Sequence, residues 1–432
     1  MSMQKTIITI ALFCTQILFL LNGQHIVGTA ANPFFVLATG MLLPIYYFFL
    51  YLRAEKLQPQ DTVATPNTFI SKPVVGFIAG CIAMMLTFWG IRQLFWEFPD
   101  PYHSSDVILS VEVLYDRFVA GQYPYRPLEQ YSWHPFPPYL PLYWLPVYIS
   151  RILDIDVRWT GVFVLVLAMG LYGLCSWRSK IPLSHKLLAV LLPVFGTVGY
   201  LIWCRFDLAV SFEFIIAGYY LMLAAGLATR NMPLVVLGLI GCLLSRFTMI
   251  FWLPVFVVLT WVNLPKKQTL IAAGIVIAAV LFIYIIPFYL KDPTAFGKSI
   301  AYYKVSAIAE WEGYGDDHTS WTFIPGVHFA PYFKNMFSGT MEERVSHTQT
   351  VQAALMIVSV IISFILYRRW RNKINFYDFL LPMLYIIMLL YFMTAPLVFR
   401  YYYLTMLTIS GVLCGKILLD AHFKHSKSDS TS

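Results

Sequence analysis

Charged residues are scarce in this 432-residue chain: they make up 12% of it, whereas hydrophobic residues make up 59%. A soluble domain usually carries about 25% charged residues. The mean hydropathy of +0.67 agrees with this shortage. A water-soluble fold of this size could not bury so much apolar surface. The composition therefore excludes an ordinary cytosolic enzyme, a disordered chain and a nucleic-acid-binding module.

Cysteine is also scarce, and its placement excludes two further classes. The six cysteines lie in or at the ends of apolar segments and form neither a Cys-x-x-Cys motif nor a His/Cys cluster. Neither a disulfide framework nor a zinc site is indicated. The chain also lacks an Asn-x-Ser/Thr sequon. That absence favours a bacterial inner membrane over a eukaryotic secretory compartment.

What the sequence has in abundance is long apolar runs without period-2 alternation. They cover about 17–23 residues each, enough to cross a hydrocarbon core of about 30 Å as helices. We predict an all-α integral membrane protein, a polytopic helical bundle that forms a single multi-pass membrane domain over 1–432. The roughly 12 predicted spans are 6–22, 33–52, 74–96, 158–177, 187–203, 208–228, 233–245, 247–262, 268–290, 351–367, 374–393 and 397–418.

Residues 136–153 are apolar but interrupted by proline. A full span here would place Arg178, Lys180 and Lys186 on the outer side. We therefore predict a short re-entrant or interfacial segment, which requires a cavity or protein burial for its backbone polar groups.

The distribution of basic residues predicts the orientation. The short connections and the tail from residue 416 hold 16 Lys and Arg. The long loops 97–135 and 291–350 hold 7, against 13 acidic residues. Cytoplasmic loops carry the excess of Lys and Arg. We expect the tail 419–432 in the cytoplasm and both long loops on the outer face, in the periplasm or the exterior of a bacterial plasma membrane.

The first long loop contains the strongest catalytic candidate. Asp106 precedes apolar residues four, three and four apart, a spacing typical of one face of a surface helix (Val107, Val111, Leu114 and Phe118). Asp106 is either a simple helix N-cap or a catalytic carboxylate that the cap position holds in place. Asp100 is a second candidate, although it lies between prolines and also fits a turn.

Three arginines interrupt the apolar runs near their outer ends. Arg205 and Asp207 break the run from 187 to 228, Arg246 lies at the tip of the hairpin 233–262, and Arg400 opens the last span. Ionisable residues at membrane depth are costly and point to function. An arginine there can bind a phosphate through two nitrogens. The structural alternatives are an ion pair between helices for Arg205 and snorkelling to the headgroups for Arg246 and Arg400.

Together these residues predict a group transfer at the outer side of the bundle. Cations at this depth suit an anionic lipid headgroup whose tail stays in the bilayer. A carboxylate on a surface helix suits a general base that acts on a hydroxyl.

The stretch from Asp106 to Pro138 resembles the first outer loop of the glycosyltransferase C (GT-C) superfamily. The residues that carry the resemblance are Asp106 with its surface helix, Gly121-Gln-Tyr-Pro-Tyr125, Tyr131 and Pro137-Pro138. The polar break Arg205-Phe-Asp207, Arg246 before Leu253-Pro254, and Arg400 match further family features. The chain resembles most the bacterial polyprenyl-phosphate-mannose-dependent glycosyltransferase family 87 and the mannosyltransferase I of glycosylphosphatidylinositol synthesis. It departs from them in having His134-Pro-Phe before Pro137-Pro138.

The resemblance implies an inverting transferase that moves a hexose such as mannose from a polyprenyl-phosphate donor to a glycan or lipid-linked acceptor. Asp106 or Asp100 would be the base, and three arginines would hold the donor phosphate (Arg205, Arg246 and Arg400). Donor or acceptor contacts would come from Asp207, Tyr125, Arg126, Tyr131 and His134. No cofactor or metal is expected, although Asp316-Asp317-His318 could hold a divalent cation.

Two other functions are compatible with these residues. A secondary transporter would carry an inverted repeat and charges at mid-membrane; the sequence shows no repeat. A polymerase or ligase of lipid-linked polysaccharide would have a large outer loop late in the chain, and 291–350 satisfies that condition.

Overall fold

The computed structural model describes residues 3–53, 72–99, 105–130, 134–177, 182–313, 323 and 326–420. Within these ranges all regular structure is helical and no strand occurs. Eight of the helices are long and apolar enough to cross a membrane, and three shorter ones are also apolar. The chain is therefore a helical, multi-pass membrane protein.

The α-helices are α1 Met3–Arg53, α2 Pro73–Met85, α3 Phe88–Glu97, α4 Asp106–Val119, α5 Pro141–Trp144, α6 Tyr148–Leu153, α7 Arg158–Ser176, α8 Leu183–Trp203, α9 Arg205–Ala209, α10 Glu213–Ala228, α11 Met232–Leu243, α12 Leu253–Asn263, α13 Lys266–Val280, α14 Ala295–Gly313, α15 Ala330–Met336, α16 Met341–Trp370, α17 Phe376–Thr394 and α18 Tyr403–Leu419. Short 3₁₀ helices cover Leu145–Val147, Phe247–Phe251 and Arg400–Tyr402, and a π-helix covers Leu281–Tyr289.

Helix α1 is a hairpin of two helices. Gly28 has φ 81° and ψ 157°, a region that only glycine enters readily. The rings of Phe19 and Phe35 stack with their centroids 5.0 Å apart. In one straight helix these residues would be about 24 Å apart, at 1.5 Å per residue. The predicted spans 6–22 and 33–52 are thus two antiparallel rods joined at Gly28.

Helices α2 and α7 pack with their backbones in close contact. A Cβ atom added to Gly80 would lie 2.1 Å from the carbonyl oxygen of Met169, and one added to Gly173 would lie 2.0 Å from that of Gly76. Small residues four apart, such as Gly76 and Gly80, permit this approach between membrane helices.

Helices α17 and α18 form the centre of the bundle and are the most deeply buried of its long helices. Arg400, just before α18, and Lys416, near its end, mark opposite ends of this rod. We call them the Arg400 end and the Lys416 end. At the Lys416 end, the carboxylate of Asp378 forms ion pairs with Arg230 and with Lys416, whose ammonium lies 3.1 Å away. The ammonium of Lys416 also lies 3.2 Å from the carboxylate of Asp420. This network joins the turn between α10 and α11 to the start of α17 and the end of α18.

The long apolar runs were predicted well, but two spans contain breaks. The predicted span 74–96 is divided between α2 and α3 by a turn at Leu86–Thr87. The predicted span 208–228 is divided between α9 and α10, so that Glu213 begins a helix instead of lying inside one. The structure describes eight long apolar helices, in which α2 and α3 count as one, and three shorter ones. If the two helices of the α1 hairpin are counted separately, the described residues form twelve apolar segments. The number that crosses a bilayer stays a prediction.

The Pro-broken segment 136–153 forms three short helical pieces, α5, Leu145–Val147 and α6. It packs against α4: Arg151 of α6 lies 3.3 Å from Glu112 and 3.4 Å from Asp116. The backbone N–H of Leu142 donates to the carbonyl of Leu244, at the end of α11. These contacts place the segment at the Arg400 end, beside the candidate site.

The loop 291–350 contains α14, α15 and the start of α16, which begins at Met341 with a capping box between Thr340 and Glu343. Its residues Asp316, Asp317 and His318 lie outside the described residues. Of the tail 419–432, only Leu419 and Asp420 are described.

Candidate functional site

Asp106 is the first residue of α4, and Ser105, not Asp106, is the helix N-cap. The hydroxyl of Ser105 accepts a hydrogen bond from the N–H of Val107 at 3.1 Å. The prediction that Asp106 caps α4 was therefore wrong. The hydroxyl of Ser105 also donates to the carbonyl of Val210, which fixes the start of α4 against the segment before α10.

The carboxylate of Asp106 is accessible to water, yet protein surrounds it on most sides. This desolvation raises its pKa above the ordinary value of 3.8, while hydrogen bonds from the N–H groups of Asp106 and Val107 act against the shift. An accessible carboxylate with a raised pKa is suited to accept a proton.

Helix α4 is held firmly against the protein. Its residues Val107, Val111 and Leu114 are buried as the spacing predicts, whereas Phe118 remains 42% exposed. At its end Arg117 donates to the carbonyls of Pro124, Arg126 and Pro127, at 3.2, 2.8 and 2.9 Å. These three hydrogen bonds fix the position of the loop that contains Tyr125.

Arg246 lies in the turn after α11 and forms a buried ion pair with Glu213. Its Nη1 lies 2.9 Å from Oε2 of Glu213, and Nη2 contacts Oε1. Glu213 is fully buried and the Arg246 side chain is 13% exposed. The guanidinium also lies over the ring of Tyr402, 4.1 Å from its centroid. Arg246 is therefore held by a carboxylate and an aromatic face, not by lipid headgroups.

Asp106 and Arg246 belong to one electrostatic centre. Tyr139 and Tyr402 are each within electrostatic range of both residues. Burial and the charge of Asp106 raise the pKa of Tyr139 far above its usual value, so its hydroxyl stays protonated. We call Asp106, Tyr139, Tyr402, Arg246 and Glu213 the Asp106 centre.

Arg400 forms a second charged group beside this centre. Its Nη1 donates to Sγ of Cys204 at 3.1 Å, and its Nε lies 3.9 Å from the carboxylate of Asp207. At that distance Nε makes no hydrogen bond, and it has no other partner among the residues described. Burial raises the pKa of Asp207, and Arg400 partly counteracts this. Tyr200 lies within range of both Arg400 and Glu213, which links the two groups.

Arg205 is placed differently from the other two arginines. It pairs with Glu97 at the end of α3, and both side chains are well exposed, at 36% and 49%. The structure thus brings Arg246 and Arg400 near each other and leaves Arg205 at the periphery.

Of the remaining residues predicted to contact donor or acceptor, one is buried, two are exposed and one lies outside the described residues. Tyr125 is buried, and its hydroxyl accepts a hydrogen bond from Nε1 of Trp144 at 3.3 Å. Arg126 and His134 are exposed and contact no member of the Asp106 centre in the described part of the chain. Asp100 and Tyr131 lie outside the described residues.

Sequence reasoning missed the aromatic members of the site and the carboxylates that pair with Arg205 and Arg246. Asp207, which lies 3.9 Å from Nε of Arg400, was predicted. Tyr402 stands in the run after Arg400 and fits an interfacial aromatic belt, and Tyr139 follows Pro137-Pro138 without a distinguishing pattern. Glu97 is 108 residues from Arg205, and Glu213 is 33 from Arg246. Glu213 is a charged residue within the predicted span 208–228, but nothing in the local sequence identifies its partner.

Within the described ranges, no three His, Cys, Asp or Glu residues are grouped so as to hold a metal ion. Comparison of this chain with protein-family models, with curated protein sequences and with solved structures found no match.

Proposed function

We propose that this protein is a membrane glycosyltransferase that moves a sugar, a hexose such as mannose, from a polyprenyl-phosphate donor to an acceptor hydroxyl. The observation that supports this most directly is the Asp106 centre. In this centre Tyr139 and Tyr402 each lie within electrostatic range of both the Asp106 carboxylate and Arg246. A base and a cation in one site suit a displacement at a glycosyl phosphate.

In the proposed reaction Asp106 accepts the proton of the acceptor hydroxyl. The acceptor oxygen forms a bond to the anomeric carbon while the bond from that carbon to the phosphate oxygen breaks. The electron pair of the broken bond stays on the phosphate, whose negative charge increases. Attack from the face opposite the phosphate inverts the configuration.

Arg400 and Arg246 would have different tasks in binding the donor phosphate. Arg246 is already fully paired with Glu213, whose charge balances its own, so it supplies a rigid polar wall. Arg400 has donors to spare, since Nε makes no hydrogen bond among the described residues and Nη1 donates only to a thiol. A phosphate is a stronger acceptor than a thiol, which makes Arg400 the better direct ligand.

The basic residues support a proposal for the side of the membrane on which the centre opens. Arg53, Arg230, Lys266 and Lys416 lie at helix ends on the Lys416 side, opposite the Asp106 centre. Because cytoplasmic loops are rich in Lys and Arg, the centre would open to the periplasm or the exterior.

The test is sugar transfer by the purified protein in lipid nanodiscs. Radiolabelled polyprenyl-phosphate mannose, glucose and arabinose are supplied with a mixed acceptor extract. The wild type is compared with Asp106→Asn and with Asp116→Asn, an exposed position on the same helix. We expect the Asp106 variant to lose transfer by about 10²-fold or more and to keep donor binding, and the Asp116 variant to stay active.

Full transfer by Asp106→Asn would overturn the assignment of Asp106 as the base and leave Asp100 as the candidate. A second outcome would overturn the function itself: no transfer and no donor binding by the wild type, while an active glycosyltransferase works in parallel. The second outcome would favour a transporter.

A further inference from the structure

A group of basic residues lies at the Lys416 end of the bundle, where α16 leads into α17. Four cations stand within six residues at the end of α16, and two lysines begin α13. All six are exposed. The four at the end of α16 make no side-chain hydrogen bond or ion pair with any described residue. We call the six residues the basic patch: Lys266, Lys267, Arg368, Arg369, Arg371 and Lys373.

The two parts of the basic patch are held side by side by a hydrogen bond. The hydroxyl of Tyr367 donates to the side-chain carbonyl oxygen of Asn263 at 2.6 Å, and this bond joins residues 104 apart in sequence. Tyr367 directly precedes Arg368, and Asn263 is three residues before Lys266. Arg371 lies within electrostatic range of the Tyr367 hydroxyl. The patch is therefore assembled from two turns by the fold.

No nearby carboxylate in the sequence balances the basic patch. Neither 253–291 nor 344–377 contains an Asp or a Glu. Asp378, the next acidic residue after α16, is buried and already pairs with Arg230 and Lys416. The two lysines also stand at the start of α13, where the helix dipole is unfavourable to cations, and no side chain caps that helix. The patch thus concentrates positive charge that calls for an anionic partner.

The surface beside the basic patch is apolar. Val262 of α12, Leu270 of α13 and Ile365 of α16 are all well exposed. Trp261 is also exposed, and its ring centroid lies 4.0 Å from the ammonium of Lys266. Exposed tryptophan beside lysine is typical of the interface between membrane and water. A ligand that satisfies the whole surface must therefore combine a negatively charged head with apolar chains.

We propose that the basic patch binds the headgroup phosphates of anionic phospholipids in the leaflet at the Lys416 end, with the acyl chains against α12, α13 and α16. Clusters of Lys and Arg directly beside the end of a membrane helix are typical of sites for anionic lipids. Arg368 and Arg371 are three residues apart, on one face of the helix end, and each can bind a phosphate through two nitrogens. The proposal is independent of the transferase function, because the patch and the Asp106 centre lie at opposite ends.

Lipid binding can be measured on the purified, delipidated protein in detergent. Native mass spectrometry gives the apparent Kd for phosphatidylglycerol and for phosphatidylcholine with the same acyl chains. The test variant is Arg368→Gln/Arg371→Gln. The matched control, Lys72→Gln/Lys186→Gln, removes two cations beside α2 and α8 instead. We expect the wild type and the control to prefer phosphatidylglycerol, and the test variant to bind it about tenfold more weakly.

The lysines of the basic patch provide a second test on the other turn. Lys266→Gln/Lys267→Gln should also weaken phosphatidylglycerol binding about tenfold, because the two turns share one site. Arg368→Lys/Arg371→Lys keeps both charges and should retain most of the affinity. Added salt should weaken the binding to the wild type, since the patch is exposed.

Three results would overturn the proposal. One is equal affinity of the wild type and both glutamine variants for phosphatidylglycerol, and another is equal affinity of the wild type for the two lipids. The third concerns glycerophosphoglycerol, which has the headgroup without the acyl chains. We expect it not to bind at concentrations at which the lipid saturates the site, and comparable affinity would identify a soluble phosphate ester instead of a lipid. Weaker binding in only one of the two glutamine variants would contradict a site shared by both turns.

Discussion

Arg246 and Glu213 form a two-point ion pair in which both terminal nitrogens of the guanidinium meet both carboxylate oxygens. The pair joins the start of α10 to the turn after α11, and the ring of Tyr402 covers the guanidinium. A planar fork is needed for such a pair, and lysine cannot supply it.

The first prediction concerns Arg246→Lys. Lysine keeps the charge but loses one of the two bonds to Glu213 and the stacking on Tyr402. We expect kcat/KM for transfer to fall at least tenfold, because the ion pair no longer holds Tyr402 and the wall of the site in place. Arg126→Lys, at an exposed position, is the control and should leave transfer unchanged. Equal activity of both variants would contradict a role for the ion pair.

The second prediction compares two Arg–Glu pairs at the same end of the bundle. Glu213→Gln leaves a largely buried arginine without a counter-charge, which typically costs about 3–5 kcal/mol. Glu97→Gln breaks the exposed pair with Arg205, and such pairs contribute about 0–1 kcal/mol. Thermal unfolding in detergent should therefore show a much larger drop in Tm for Glu213→Gln. Similar Tm values for the two variants would contradict the buried geometry.

The third prediction is the pH dependence of transfer. Asp106 acts as a base only when deprotonated, so activity must fall as pH drops through its pKa. Because burial raises that pKa above 3.8, the acid limb of kcat/KM should have its midpoint above pH 3.8. The measurement is a pH profile of the wild type and Asp116→Asn, which should superimpose. A midpoint at or below pH 3.8 would assign the limb to another group.

The fourth prediction concerns the hairpin turn at Gly28. A side chain at φ 81° and ψ 157° is strained, and such positions cost about 1–3 kcal/mol. Gly28→Ala should lower the Tm in detergent. Gly274→Ala is the matched control, since it lies within helix α13 with open space around it, and alanine there should be neutral or slightly stabilising. A Tm for Gly28→Ala equal to that of the control would show that the chain does not reverse at Gly28.

The apolar runs determined most of the helices, because a helix that must satisfy its backbone in lipid leaves a clear signal in hydropathy. Arg158–Ser176 and Phe376–Thr394 lie within two residues of their predicted bounds. The break at Leu86–Thr87 was missed because the residues around it are as apolar as the helices. The break before Glu213 was predicted a few residues too early, at Arg205 and Asp207, because these charges interrupt the apolar run and yet lie in the short helix α9. A turn packed inside protein leaves no mark on a hydropathy pattern.

The site was predictable only in part, for a related reason. Asp106, Arg246 and Arg400 stand out because charge is rare in this sequence. Their surroundings depend on contacts between distant segments. Ser105 instead of Asp106 caps α4, and Arg205 pairs with Glu97 at the periphery. Tyr139 comes within electrostatic range of both Asp106 and Arg246 only in the folded protein, so its sequence position alone does not mark it as a site residue.

The burial of α17 and α18 has a consequence for biosynthesis. These two helices follow all the other described helices in the chain, so each earlier helix leaves the ribosome before the core against which it packs. Asp378 and Asp420, which together balance the charges of Arg230 and Lys416, are also made after Arg230. Arg230 therefore lacks its counter-charge until α17 has been made.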